Sequence, residues 1–89
     1  MARFEFSAED VVDGSAQHGG ADALFQLGLM YCAGRDVDVD LVEAHKWFNL
    51  AALRGNDEAK AYRLELSREM TKKQIAAAQK SAREWLRCH

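Results

Sequence analysis

Two stretches of the chain match each other at a constant separation of 36 residues: "SAQHGGADA", residues 15–23, and "AALRGNDEA", residues 51–59. The identical pairs are Ala16/Ala52, Gly19/Gly55 and Ala23/Ala59. The likeness decays further along the chain. A fixed period of this length is typical of helical repeat proteins, in which each unit is a pair of helices that buries its apolar face against its neighbours. The sequence therefore predicts one good repeat with pieces of others beside it.

The bulk composition agrees with a single small domain over residues 1–89. An apolar content of 48% and a charged content of 29% are typical of soluble globular chains. Proline is absent, so helices can run without interruption. No apolar run approaches the roughly 18 residues of a membrane span, and the start "MARFEF" shows no secretory signal. The two cysteines form no disulfide framework. We therefore expect a cytoplasmic protein.

Apolar spacing and helix start and stop signals predict five helices. Their predicted ranges are roughly 8–18, then 21–33, 41–54, 57 to about 70, and a last helix that follows Thr71. The helix at 21–33 is apolar on nearly every side, which predicts a central position with neighbours on two faces. The helix at 41–54 has an inner stripe of Leu41, Ala44, Trp47, Phe48 and Ala51. The sequence therefore predicts an all-α fold.

The last helix is predicted to have one apolar face and one strongly polar face. Its predicted buried residues are Ile75, Ala78, Ala82 and either Trp85 or Leu86. Its predicted exposed residues are Lys72, Lys73, Gln79, Lys80, Arg83 and Arg87. Polarity on one side suits a capping helix at the end of a stack of repeats.

Alternating acids at Asp36, Asp38 and Asp40 raise the possibility of a calcium loop. Such a loop starting at Asp36 needs glycine at its sixth position and glutamate at its twelfth, and these positions hold Leu41 and Trp47. Asp40 instead precedes an apolar-periodic helix, with Glu43 three residues on, which predicts a capping box. Asn56 before the fourth helix and Thr71 with Gln74 before the fifth are further predicted caps. No metal site is predicted.

Small and aromatic residues between positions 23 and 59 resemble the Sel-one-like repeat, a relative of the tetratricopeptide repeat. The residues that carry the resemblance are Ala23, Leu27, Gly28, Tyr31, Gly34, Asp40, Ala44, Trp47, Ala51, Gly55 and Ala59. The Val-x-Asp element of the pattern is either Val37-Asp38 or Val39-Asp40. The resemblance implies a full repeat at about 20–56, an N-terminal partial repeat at 7–19 and a degenerate C-terminal capping pair at 57–89.

The resemblance also implies a fold and a function. The fold is an α/α solenoid fragment built from antiparallel helix pairs. Members typically act as adaptors in protein complexes, including bacterial signalling and host-contact proteins. We therefore expect a non-catalytic interaction module without a cofactor. Independently, Gly28 predicts a close approach between two helices, because a side chain there would hold the neighbouring helix off.

The predicted partner-binding surface is the inner one, formed by the first helix of each pair. Its predicted residues are Asp22, Phe25, Gln26, Leu29, Glu58, Tyr62 and Glu65. Exposed Phe25, Leu29 and Tyr62 would be apolar anchors within an acidic surround, which suits a peptide with basic flanks. The alternative is that Phe25 and Leu29 pack against the first helix or a second subunit.

Charge is unevenly distributed along the chain. Residues 1–45 hold two basic and nine acidic residues, a net charge of −7, while residues 46–89 hold ten basic and five acidic residues, a net charge of +5. Either the two halves attract one another or the basic last helix binds an anionic partner, nucleic acid or membrane. No aromatic residue interleaves the cations, which disfavours nucleic acid. Phe4, Phe6, Val11 and Val12 exceed what one short helix buries, so we predict a homodimer or a tight partner complex that covers Phe4, Phe6 and Phe25.

No catalytic site is predicted. His18, His45 and His89 have no metal-ligand spacing among themselves, and His45 is predicted to lie on the surface beside Lys46. The serines lack a nucleophile context, and no glycine-rich phosphate loop is present. The sequence therefore does not predict an enzyme.

Overall fold

Four helices make up 77% of residues 20–89, the part of the chain that the computed structural model describes. They are α1 (Ala21–Ala33), α2 (Leu41–Leu53), α3 (Asp57–Ser67) and α4 (Lys72–Cys88). Residues 20–89 contain no strand, so the predicted all-α fold is confirmed. The helix predicted at 8–18 lies outside the described residues.

The helix boundaries agree with the predictions except at the end of α3. Both ends of α1 are where they were predicted, and α2 ends at Leu53, one residue early. The prediction that the fourth helix extends to Met70 is wrong, because α3 ends at Ser67. The backbone N–H groups of residues 68–70 each donate to the carbonyl group three residues earlier. These hydrogen bonds form a tight turn, in which Met70 is buried.

Caps explain where the helices begin. The Asp40 carboxylate accepts a hydrogen bond from the Glu43 N–H at 3.1 Å, which confirms Asp40 as the cap of α2. The capping box also predicts a hydrogen bond from the Asp40 N–H to the Glu43 carboxylate, and this prediction is wrong. The Glu43 carboxylate instead accepts from the Trp47 indole N–H at 3.0 Å. Before α4, Thr71 and Gln74 form both halves of the predicted capping box.

Among residues 20–89 the most widely packed helix is α2, while the predicted central position of α1 depends on a helix at 8–18 that lies outside the described residues. Helix α2 packs against each of the other three helices. The buried residues of α2 are Ala44, His45, Trp47, Phe48, Leu50 and Ala51. The predicted close approach at Gly28 is confirmed, because a Cβ atom added there would overlap the Phe48 ring.

The last helix packs on α2 through alanines and aromatic rings. Ala78 and Ala82 are buried, and the Trp85 ring meets the Trp47 ring edge-on at a centroid distance of 5.7 Å. Trp85 is half-buried and Leu86 is exposed, which decides between the two predicted alternatives. All six residues of the predicted polar face of α4 are exposed. Binding of an anionic partner by that face stays a prediction.

Candidate partner-binding surface

One face of α1 points away from α2. Residues three or four apart on a helix share a face. Asp22, Gln26, Leu29 and Ala33 have this spacing; Asp22 and Ala33 are exposed, and Gln26 and Leu29 are half-buried. Most other side chains of the helix pack in the core. The outward face of α1 therefore combines one acid, one amide and two apolar side chains.

A second face is formed by α3. Glu58, Tyr62 and Glu65 share one side of this helix by the same spacing, and all three are exposed. The buried positions of α3 are Ala59 and Leu66, which lie towards the core. Tyr62 keeps 43% of its surface exposed. It is the largest side chain on this face.

Two contacts place the faces of α1 and α3 side by side. The Asn56 side-chain amide donates to the Asp22 carboxylate at 3.1 Å, while its carbonyl oxygen accepts from the Ala59 N–H at 2.9 Å and caps α3. The Tyr62 ring meets the Phe25 ring edge-on at a centroid distance of 5.3 Å. We call the combined face the inner surface; it consists of Asp22, Gln26, Leu29, Ala33, Glu58, Tyr62 and Glu65.

Phe25 is not the exposed anchor that the sequence predicted. Its side chain is only 8% exposed. The ring packs between Phe48, at a centroid distance of 5.8 Å, and Tyr62 of α3. Tyr62 covers Phe25 from outside and also contacts Phe48 at 5.4 Å. Phe25 therefore supports Tyr62 from beneath, whereas the other six predicted residues reach the surface.

The inner surface is acidic. Asp22, Glu58 and Glu65 contribute three carboxylates, and α1 itself carries no basic residue. Glu65 forms an exposed ion pair with Arg68 at 3.1 Å, and such exposed pairs contribute little to stability. The surface therefore offers a cationic partner a negative surround around Tyr62.

His45 is buried, which contradicts its predicted surface position. It is 2% exposed, and its Nε2 atom lies 3.0 Å from the Ser67 hydroxyl of α3. Burial, and then the charge of Arg63, lower the pKa of His45 below its usual value. A signal was present in the sequence, since His45 comes four residues after Leu41 and three before Phe48, within the apolar stripe of α2.

Two further negative findings hold for the described residues. No group of three or more His, Cys, Asp or Glu side chains within residues 20–89 is placed to hold a metal ion. Asp36 and Asp38 are exposed in the loop between α1 and α2. In the same range, α1 to α4 are all too short or too polar to cross a membrane.

Residues 21–56 match the family model of the Sel1 repeat. The match covers 36 of the 89 residues and shows that this segment is similar to a Sel1 repeat. The predicted resemblance is thereby confirmed over α1, α2 and the turns that follow them. Sel1 repeats are non-catalytic modules that generally mediate protein–protein interaction. Neither a curated protein nor a solved structure matches the chain.

The Sel1 signature residues have identifiable packing or turn positions. Gly34 and Gly55 adopt positive φ angles of 74° and 101° after α1 and α2, where glycine is favoured. Asp40 caps α2, and Tyr31 is half-buried. The buried signature residues are Ala23, Leu27, Gly28, Ala44, Trp47, Ala51 and Ala59. The signature therefore builds the helix pair, while the inner surface is formed by other residues.

Proposed function

We propose that this chain is an adaptor module that binds a peptide or protein partner through the inner surface. The observation that carries the proposal is the position of Tyr62, half-exposed above two buried aromatic rings and flanked by carboxylates. Its location beside a Sel1 repeat supports the proposal, because such repeats generally mediate protein–protein interaction.

Tyr62 has the properties of a binding hot spot. Its ring is held against Phe25 and Phe48, so little side-chain freedom is left to lose when a partner binds. Tyrosine combines a large apolar area with a hydroxyl that can hydrogen-bond, and it is enriched among residues that dominate binding energy. We infer that Tyr62 is the main apolar anchor.

The acids around Tyr62 indicate the chemistry of the partner. Asp22, Glu58 and Glu65 would attract lysine or arginine on either side of an apolar residue. Charges at the rim of an interface mainly raise the association rate, and salt screens them. The preferred partner is therefore a peptide segment with an apolar centre and basic flanks.

A peptide series tests this proposal. Peptides of about fifteen residues with an apolar centre and either Lys/Arg or Asp/Glu flanks are titrated into the full chain by isothermal titration calorimetry. We expect binding of the basic series only. Tyr62→Ala should weaken it by about thirtyfold or more, because a truncated hot spot costs about 2 kcal/mol or more.

Leu64→Ala is the matched control. Leu64 is also a large apolar side chain of α3 and is 60% exposed, but it lies on the other side of the helix. We expect it to leave the peptide affinity unchanged. Tyr62→Phe keeps the ring contacts and tests the hydroxyl separately. Equal losses for Tyr62→Ala and Leu64→Ala, or binding of the acidic series, would contradict the proposed surface.

We further infer that the chain associates with a second copy of itself. The exposed acids Asp36, Asp38 and Asp40 lie between α1 and α2, while α4 exposes a face of lysine and arginine. Two such regions of opposite charge favour head-to-tail or antiparallel pairing. Phe4 and Phe6, which the dimer was expected to cover, lie outside the described residues. The expectation that a second copy covers Phe25 is wrong, because Tyr62 of the same chain already buries that ring.

A further inference from the structure

The contact between α2 and α3 contains a polar seam, which we define as His45 and Asn49 of α2 with Arg63 and Ser67 of α3. The Arg63 guanidinium donates to the Asn49 side-chain oxygen at 2.7 Å. The His45 ring lies 3.0 Å from the Ser67 hydroxyl oxygen. Ala59 and Leu66 are the buried residues of α3, and the Tyr62 ring also contacts Phe48, so the polar contacts are one part of what holds the helix to α2.

The hydrogen bonds assign the proton of the neutral His45 ring. The Ser67 hydroxyl donates its single proton to the Arg63 carbonyl oxygen at 2.9 Å. Its oxygen must therefore accept from His45, which places the ring proton on Nε2. Nδ1 then carries a lone pair, and this atom is buried without a hydrogen-bond partner among residues 20–89.

Protonation of Nδ1 of the His45 ring is energetically unfavourable while the seam is closed. The second proton would bind at Nδ1 and create a buried N–H group without an acceptor, which is costly. The same event would create a cation close to the Arg63 guanidinium in a buried position. Both costs disappear when α3 moves away and water reaches the ring.

We propose that His45 is an acid-sensitive latch between α2 and α3: when the ring takes up a second proton, the seam opens and α3 separates. Because α3 carries Glu58, Tyr62 and Glu65, opening also removes three of the seven residues of the inner surface. The loss of partner binding rests on the proposed function, whereas the opening of the seam does not.

The direction of the pH dependence follows from the lowered pKa of His45. In the closed state α3 packs on α2, and in the open state it is separated from α2. The closed state binds the second proton of His45 more weakly than the open state, in which the histidine has the ordinary pKa of about 6.5. Above about pH 6.5 neither state is protonated, so pH has no effect. Below it, only the open state gains a proton, and the opening constant rises by about tenfold for each pH unit until the closed state also becomes protonated.

Arg63 is the charged side chain that acts on the His45 ring. The other titratable groups of the described helices are Asp22, Tyr31 and Cys32 of α1, Glu43 and Lys46 of α2, Asp57, Glu58, Lys60, Tyr62 and Glu65 of α3, and Glu84, Cys88 and the exposed lysines and arginines of α4, with His89 after it. Carboxylates, cysteines, tyrosines, lysines and arginines ordinarily titrate outside the interval from pH 5 to 7. A change within that interval therefore reports on histidine.

Amide hydrogen exchange of the full chain, followed by NMR between pH 7 and pH 5, tests the latch. After correction for the intrinsic exchange rate, we expect the opening constant for α3 amides, such as those of Arg63 and Leu66, to rise about tenfold per pH unit below about pH 6. Amides of α1 should remain better protected. Equal protection of α1 and α3 at every pH, or a pH-independent α3, would overturn the proposal.

Two variants separate His45 from the other histidines. His45→Gln keeps an N–H donor for Ser67 but cannot titrate, so we expect the pH dependence of α3 to disappear. His89→Gln removes an exposed histidine that stacks on Trp85, and we expect the dependence to remain. The reverse pattern contradicts the latch.

A measurement on the unaltered chain tests the proposal even if a variant does not fold. Nitrogen chemical shifts of the His45 ring should show the Nε2–H form at pH 7 and a titration midpoint below the ordinary value. A midpoint at or above that value would overturn the proposal. If α3 opens as expected but the basic peptides bind at no pH, the proposed binding function fails and the latch stands.

Discussion

At the scale of single residues, Gly28 is the position with the least tolerance for change. The Phe48 ring lies where a Cβ atom of residue 28 would be, so the two helices meet at the glycine. Phe48 is fully buried and also contacts Phe25 and Tyr62. Displacing it would therefore disturb both the core and the support beneath the inner surface.

Gly28→Leu should destabilise the chain by about 1–3 kcal/mol or more, the usual cost of overpacking a core. Urea unfolding monitored by circular dichroism measures this change. Ala33→Leu places the same side chain at an exposed position of the same helix and should cost little. A neutral Gly28→Leu variant would mean that α1 and α2 do not approach closely there.

At the scale of elements, the caps decide where helices begin. Asp40, Asn56 and Thr71 each accept a hydrogen bond from a backbone N–H group of the following first turn. Such bonds satisfy donors that have no partner within the helix. Asp40 also donates its own N–H to the Tyr31 carbonyl at 3.0 Å, which ties the loop to the end of α1.

Asp40→Ala should therefore lower the free energy of unfolding by about 1 kcal/mol, the typical cost of losing a cap. Asp38→Ala is a suitable control, because Asp38 is an exposed acid of the same loop and does not cap α2. Thermal unfolding of both variants gives the comparison. If the two substitutions lower the free energy of unfolding equally, the effect comes from the charge of the loop rather than from the cap.

At the scale of the whole molecule, charge is separated between the two halves of the chain. The net charge is −7 over residues 1–45 and +5 over residues 46–89. The exposed cations of α4 face away from α2. Within residues 20–89 they form no direct ion pair with the acids of the loop between α1 and α2. Opposite charges on separate surfaces favour association between copies.

Sedimentation equilibrium tests this association. We expect a dimer at about 0.05 M salt and a shift towards monomer at about 0.5 M, where surface charges are screened. The double substitution Lys80→Glu/Arg83→Glu should weaken the dimer, whereas Glu84→Gln, on the same helix, should not. A monomer at high micromolar concentration and low salt contradicts the prediction.

Local chemistry explains what the sequence by itself determined. The range of α1, the starts of the other three helices and the capping box at Thr71 depend on residues within one or two turns of each other. The resemblance carried by small and aromatic residues between positions 23 and 59 predicted the Sel1 repeat, and the missing side chain at Gly28 predicted the close approach. These features could be predicted because each depends on neighbouring residues or on a repeating pattern.

Only the tertiary structure decided which of the predicted site residues are exposed. Phe25 is covered by Tyr62 of α3, and His45 is covered by α3 at a separation of 22 residues from its partner Ser67. The spacing of a side chain along its own helix shows which residues share its face, but not which other helix packs on that face. The exposed anchor and the acid-sensitive contact are consequences of how α3 packs on α1 and α2, and that packing depends on contacts between residues far apart in the chain.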